Sequence, residues 1–295
     1  MTASVCALGF FDGVHEAHSL ILRKCITHAK EHGLKSIALT FEKSPAEYFG
    51  KKIKYLTTLD QKKQYMKELG IDEVVVLPCD EKTLSLAPEE FVNDILIGRL
   101  NVTAVFCGFN YTFGKNASGN TNKLISLCKG KGIDVIVTPC MTDYGVTVSS
   151  SEIRSILSRG DIALANLLLT RPFEVWGNVA EGKKLGRQLD FPTANIYPGE
   201  FFPDLPKGVY ATKTVIDNAE YPSVTNVGVN PTVKDGNLRI ETFIINFNGD
   251  IYGKNIRIKF FNFLRPEKEF PSVDELKKQI SADTENTIQY FKSLH

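Results

Sequence analysis

The chain has 295 residues, 43% of them hydrophobic, with 35 Lys plus Arg set against 34 Asp plus Glu, which is long enough for two domains that each bury a core. Near-neutral charge leaves no net attraction to nucleic acid or an acidic membrane surface, and neither a basic leader nor an apolar run of transmembrane length is read in the sequence, so the expectation is a cytoplasmic protein with no nucleic acid and no membrane among its partners. Six cysteines, all in the first half and none in a CxxC pair, read as small core residues of a reducing compartment.

In the first half, short β-rich runs alternate with helical patterns. "SVCAL", "SIALTF", "EVVVL", "TAVFC" and "DVIVT" are the strands, nearly continuous in apolar residues, as suits strands buried on both faces. Between them Ile21, Leu22, Cys25 and Ala29 mark one helical face ended by Gly33, "PEEFVNDILIGRL" starts with proline in a first turn, and "NKLISLCKGKG" ends on glycine. Five alternations predict a doubly wound parallel sheet, whose ligands bind beyond the carboxyl ends of the strands. His15 and His18 fall at such an end, on one side of a first helical turn, where unpaired N–H groups and partial positive charge collect anions. A triphosphate is the natural occupant; a capped turn bearing two surface histidines is the alternative. "GFNYTFGK" is not a P-loop, because five residues separate Gly108 from Gly114 and Asn116 replaces the required Ser/Thr. In "VSSSEIRSIL", Ser149 and Glu152 form a capping box that leaves Ser150, Ser151 and Arg154 in or near a first helical turn, a setting that suits a β/γ-phosphate; simple helix capping with a solvent-exposed arginine is the alternative.

From about residue 172 the strands follow one another without helices: "FEVWGNVAEG", "GVYATKTVI", "SVTNVGV", "IETFIINF" and "NIRIKFFNF" predict antiparallel β, closed or nearly closed into a barrel. Asn248-Gly249 predicts a hairpin, and Ser272 with Glu275 a capping box leading a terminal helix over the barrel. The expected domains are 1–168, a Rossmann-like doubly wound parallel sheet, and 169–295, a β-barrel. In "EGKKLGRQLDFPTANI" a glycine- and lysine-bearing loop precedes Thr193 and Asn195, stiffened by Pro192; their oxygens can help fix hydrated Mg²⁺ on nucleotide phosphates, although the stretch alone also reads as a turn. Glu241 is the lone carboxylate of its strand: aimed into a barrel mouth it would orient or deprotonate an alcohol, aimed outward it would be a solvated residue.

Together, "GFFDGVH", "HEAH", "GFNYTFG" and "SSSEIR", followed by "GRQLDFPTANI", "GVYA", "NVGVNPTV", "ETFIINF", "DIYG" and "FLRPEKEF", resemble in order the motifs of the bacterial bifunctional FAD synthetases. The resemblance implies ATP-dependent phosphorylation of riboflavin to FMN by the C-terminal barrel and adenylylation of FMN to FAD by the N-terminal domain, with Mg²⁺ as cofactor. A riboflavin kinase with a degenerate front domain, and a flavin- or nucleotide-sensing protein, are the alternatives; a homo-oligomer is left open. The resemblance places His15 and His18 on ATP phosphates within a turn that includes Gly9, Phe10, Asp12 and Gly13. It places Asn110 where the family has an acid, and Ser150, Ser151 and Arg154 in the phosphate cradle. Gly182, Lys184, Gly186 and Arg187 would belong to the kinase nucleotide loop, Thr193 and Asn195 to Mg-ATP, Glu241 to the ribityl hydroxyl as base, and Arg265 and Glu267 to the flavin. Neither reaction needs a protein nucleophile, so positioning and charge neutralisation carry the catalysis. The chain departs from the family at Ala17, where the histidine motif has glycine, in "TFEKSP" for TFDPHP, in "FNYTFG" for DFRFG, and at Asp190 for the glycine of LGFPTAN.

Overall fold

A computed structural model of the chain describes residues 2–180, 191–199, 202–229 and 238–294. Gly182, Lys184, Gly186 and Arg187 lie outside the described residues. The chain divides into two compact units, 1–152 and 153–295.

The first unit is built on five parallel strands, β1 (Ser4–Leu8), β2 (Lys35–Phe41), β3 (Glu73–Leu77), β4 (Val102–Gly108) and β5 (Asp134–Thr138), in the order β3-β2-β1-β4-β5. The strand order reverses between β1 and β4, so a crevice opens beyond their carboxyl ends. Helix α1 (Glu16–His32) returns the chain from β1 to β2 and stops at Gly33, whose φ of 65° lets its N–H reach back to the last carbonyls. Helix α2 (Leu59–Leu69) is opened by a reciprocal capping box of Thr58 and Gln61, and α3 (Thr121–Lys129) by the Asn120 side chain. The segment after Pro88 departs from the expected α-helix: from Phe91 to Arg99 it is a π-helix. Of its buried residues, Phe91 and Leu96 are five apart and Val92 and Leu96 four, spacings that the wider turn brings together. Cys6, Cys25, Cys107 and Cys128 are buried free thiols, as expected of core residues, whereas Cys140 is exposed.

The second unit opens with most of α4 (Ser150–Ser158) and with α5 (Ile162–Leu169). Asn166 of α5 ties that helix to the sheet twice, donating to the Phe260 carbonyl at 2.8 Å and accepting from the Phe173 N–H at 2.7 Å. The sheet comprises β6 (Phe173–Asn178), β7 (Thr193–Ile196), β8 (Gly208–Ile216), β9 (Ala219–Val229), β10 (Leu238–Ile244) and β11 (Asn255–Pro266), antiparallel throughout in the order β6-β11-β8-β9-β10-β7. It curls into a half-barrel whose edges meet at an isolated bridge between Ala180 and Asn195. Gly177 is the reason they can approach, since a Cβ there would overlap the Ile196 side chain. Five hydroxyls, Thr212, Thr214, Ser223, Thr225 and Thr242, are fully buried and bonded to one another across β8, β9 and β10. The terminal helix α6 (Val273–Ser293) begins at Ser272, whose hydroxyl accepts from the Glu275 N–H, and packs on β8 and β9.

The hairpin expected at Asn248-Gly249 does not form. The strands on either side, β10 and β11, are not neighbours in the sheet, so this segment is a connection that changes direction at Asn246 and Gly253, both at positive φ. A two-residue hairpin turn instead joins β8 and β9 at Asp217-Asn218, with φ of 48° and 68°.

Candidate active sites

In the first unit the turn from β1 into α1 is tightly folded. Phe11, buried at φ 57°, lays its ring over Gly9, where a Cβ would stand 2.9 Å from it; Gly13 follows at φ 78°. His15 caps α1, its Nδ1 accepting from the His18 N–H at 3.4 Å, and the two imidazoles stack at 3.6 Å with 18° between their planes. Phe11 meets His18 edge-on at 5.3 Å. The pair is therefore held in one orientation at a helix N-terminus, the arrangement that suits phosphate oxygens. Ser150 is brought to the same turn, donating to the Asp12 carbonyl at 2.9 Å. Ser149 accepts from the Glu152 N–H, as the capping box predicts, which leaves Ser151 exposed in the first turn of α4 and Arg154 one turn further along. Asn110 is exposed just past the end of β4.

Asp12 has a second role in this geometry. Its Oδ1 accepts from the Leu56 N–H at 2.9 Å, the Thr57 N–H at 3.2 Å and the Thr57 hydroxyl at 3.3 Å, while the Gly13 N–H donates to that hydroxyl. The carboxylate thus clamps the approach to α2 onto the turn. Lys62 of α2 completes the clamp: it is 3% exposed, and its Nζ donates to the Phe10 carbonyl at 2.9 Å, the Thr40 hydroxyl at 3.1 Å and the Phe41 carbonyl at 3.1 Å. Burial pulls its pKa down to about 8, with Asp12 opposing and Lys63 adding to the shift.

Beyond β2 and β4 lies an apolar cleft of about 430 Å³, walled by Phe41, Phe49, Phe91, Tyr111 and Phe113, a size and lining suited to a flat aromatic ligand. Tyr111 and Phe113 lie nearly parallel at 5.8 Å, and Phe91 tilts against Phe113 at 5.3 Å. Gly114, at φ 73°, closes one side, since a Cβ there would press on Pro88. Neither the cleft nor Lys62 emerged from sequence reasoning. Lys62 carried a readable signal, because it falls at helical spacing with buried Tyr65 and Met66 and so sits on an apolar face.

In the second unit, Asn195 of β7, Glu241 of β10 and Asn226 of β9 occupy paired register positions across three adjacent strands. Thr193 lies one pair away on the same face, opposite Phe243. Asn195 is 3% exposed, and its Oδ1 has no hydrogen-bond partner among the described residues. Glu241 accepts from Arg239 at 2.9 Å. Its direction differs from both expected alternatives. Ile240, Thr242 and Ile244 fill the buried interior, so Glu241 faces away from it; yet its side chain is only 27% exposed. The same face carries Val209 and Val224, and both Phe243 and the α6 residue Ile288 pack against the cluster these two belong to.

At the end of β11, Glu267 accepts from the Asn226 side chain at 3.2 Å and lies over Gly228, where any Cβ would collide with it. Arg265 is held by the buried Asp283 of α6, with Nε 3.0 Å from Oδ1 and Nη2 2.7 Å from Oδ2. Gln279 donates to the same carboxylate at 2.9 Å. Glu267 is thus brought toward the row of Asn195, Asn226 and Glu241, while the Arg265 guanidinium is committed to fastening α6.

Two polar sites on two differently built units agree with what comparison shows. A riboflavin kinase family model matches residues 169–291 and an FAD synthetase model residues 1–152. A protein of Listeria monocytogenes described as a bifunctional riboflavin kinase/FMN adenylyltransferase is 35% identical, covering 98% of this chain and 93% of its own. One of the same description from Bacillus subtilis is 34% identical over 99% and 93%. A crystal structure described as a macrolide-efflux protein from Streptococcus pneumoniae shares the fold at a TM-score of 0.87, 29% identity and coverage of 97% and 94%. With each unit matched by its own model and nearly the full length aligned to these relatives, the chain belongs to the bifunctional riboflavin kinase/FMN adenylyltransferase family.

Proposed function

We propose that the chain makes FAD from riboflavin in two ATP-dependent steps, phosphorylation to FMN in the second unit and adenylylation of FMN in the first. The observation that carries the reading is the row of Asn195, Glu241 and Asn226, with a buried amide oxygen that has no partner among the described residues. An unpartnered buried acceptor is costly, and Oδ1 of Asn195 with the Thr193 hydroxyl is a neutral oxygen pair of the kind that joins waters and phosphate oxygens around Mg²⁺. Bound there with ATP, Mg²⁺ would neutralise charge on the phosphates.

Glu241, its carboxylate oriented by Arg239, is the base that takes the proton from the ribityl 5′-hydroxyl as that oxygen attacks the γ-phosphate, the bond to the bridging oxygen breaks and ADP leaves. Glu267, over Asn226 and Gly228, takes the flavin side, and Arg265, its guanidinium fastened to Asp283, lies near the flavin. Gly182, Lys184, Gly186 and Arg187 contribute the nucleotide loop. In the first unit, His15 and His18, with the Gly9, Phe10, Asp12 and Gly13 turn, hold ATP phosphates at the start of α1. Ser150, Ser151 and Arg154 complete the cradle, with Asn110 at its edge. The aromatic cleft takes the isoalloxazine ring. An FMN phosphate oxygen then attacks the α-phosphate and pyrophosphate leaves, with no covalent enzyme intermediate. Such work suits a cytoplasmic enzyme with small-molecule partners.

Incubation of the purified chain with riboflavin, ATP and Mg²⁺, followed by separation of the flavins, tests this. FAD accumulating after FMN is expected. FMN alone would reduce the activity to the kinase, and neither product would overturn the proposal.

A further inference from the structure

We propose that Lys62, which lies outside every nucleotide and flavin motif, is a positioning residue for adenylyl transfer, fixing the phosphate turn against the aromatic cleft from behind. The inference rests on the adenylyltransferase reading above and adds to it a residue that touches neither substrate. The backbone ladder between β1 and β2 ends at the bond from the Gly9 N–H to the Leu39 carbonyl. One residue further on, Phe10 begins the histidine turn, and two residues beyond Leu39, Phe41 presents its ring to the cleft. The Lys62 ammonium bridges this gap, bonding the Phe10 carbonyl, the Phe41 carbonyl and the hydroxyl of Thr40, which itself donates to Phe10.

All three ammonium donors are thereby used, so none remains for a ligand. The Phe10 ring lies 4.0 Å from Nζ and closes the site with a cation–π contact. A methionine would fill similar space without the desolvation cost of a buried cation. What the ammonium adds is direction: it locks two substrate-bearing segments in one relative placement, on which the attack of one phosphate on another depends. The charged groups acting on it are Asp12 from the turn and Lys63 from its own helix; the turn after β1 presents the Phe10 carbonyl and ring, and β2 the Thr40 hydroxyl and the Phe41 carbonyl, all neutral. Deprotonation removes a donor and loosens the bridge.

The full-length wild type and Lys62→Met are compared for conversion of added FMN to FAD and of riboflavin to FMN. Lys62→Met should lower kcat for FAD formation by about 10²-fold with little change in KM for ATP or FMN, because placement rather than affinity is lost. The kinase step should not change. In the wild type, kcat for FAD formation should fall as pH rises through about 8, and this fall should be absent from the variant. A wild-type kcat in Lys62→Met, or a wild-type rate that stays level across that pH, overturns the proposal. If the variant unfolds, the wild-type pH profile decides alone. Absence of FAD from the wild type removes the adenylyltransferase reading and the role of Lys62 with it, an outcome distinct from a silent variant beside an active parent.

Discussion

Asn195 and Glu241 are direct register partners on β7 and β10, and their side chains leave the sheet on the same face. This pairing joins a buried amide oxygen to the one carboxylate of its strand. Glu241→Gln should abolish most riboflavin phosphorylation, by about 10²–10⁴-fold as expected for a lost base, and leave conversion of added FMN to FAD intact. Separate assays of the two steps check it; equal loss of both would mean that the substitution acts on folding.

Asp283 is a structural anchor in this arrangement. Replacing it with alanine would leave the Arg265 guanidinium and the Gln279 amide without their shared acceptor. Breaking such a pair should cost about 3 kcal/mol, the low end for a buried ion pair, because the Arg265 side chain keeps 21% of its exposure. Urea unfolding should show the loss as a lower midpoint.

Ala17 lies half-buried between the stacked histidines in the first turn of α1. Glycine there would let a nucleotide come closer to the backbone, at the cost of up to about 1 kcal/mol of helix propensity. Ala17→Gly should lower Tm by about 2–4 °C or less and lower KM for ATP in the FMN-to-FAD step, with the kinase step unchanged. Calorimetry and initial rates test both halves; an unaltered KM and kcat would mean that the methyl faces away from the nucleotide.

Alkaline pH should destabilise the first unit through its thiols. Burial raises Cys25 from 9.0 to about 12 and Cys107 to about 11, and raises Cys6 as well. The unfolded chain releases these protons near its ordinary value while the folded chain holds them. Their contribution is therefore complete below pH 9.0 and is lost as pH rises through about 11 to 12. Unfolding midpoints measured across that range should fall, and Cys25→Ala with Cys107→Ala should flatten the decline.

Much of this molecule is legible in local sequence. Apolar runs with β-branched residues marked β1, β3, β5 and β8 at their observed bounds, because strands buried on both faces leave an unbroken pattern. Capping at Ser149 and Ser272 was equally readable, since each cap needs only a residue and its near neighbours. Pairing between distant strands was not: Asn248-Gly249 has hairpin chemistry, but a turn residue carries no information about whether the flanking strands become neighbours. The face taken by Glu241 depended on which side of the half-barrel the helix covers, and the cleft collects aromatics from segments separated by some seventy residues, Phe41 to Phe113.

The row of buried hydroxyls inside the half-barrel has only one self-consistent order of protons. Each hydroxyl owns a single proton. Thr212 gives its proton to the Ser223 carbonyl at 2.9 Å, so its oxygen can only receive from Ser223 and Thr225. Thr225, its proton spent, must receive from Thr242, and Ser223 from Thr214. The protons of Thr214 and Thr242, at the two ends of the row, both point inward, and the whole sequence converges on Thr212. The strands are consequently joined by a network with polarity as well as position. Shifting β9 by one residue against β8 would turn Ser223 and Thr225 to the opposite face and leave Thr212 and Thr214 without these partners, so the register of the sheet that carries Asn226 and Glu241 is tied to the O–H bonds on its hidden side.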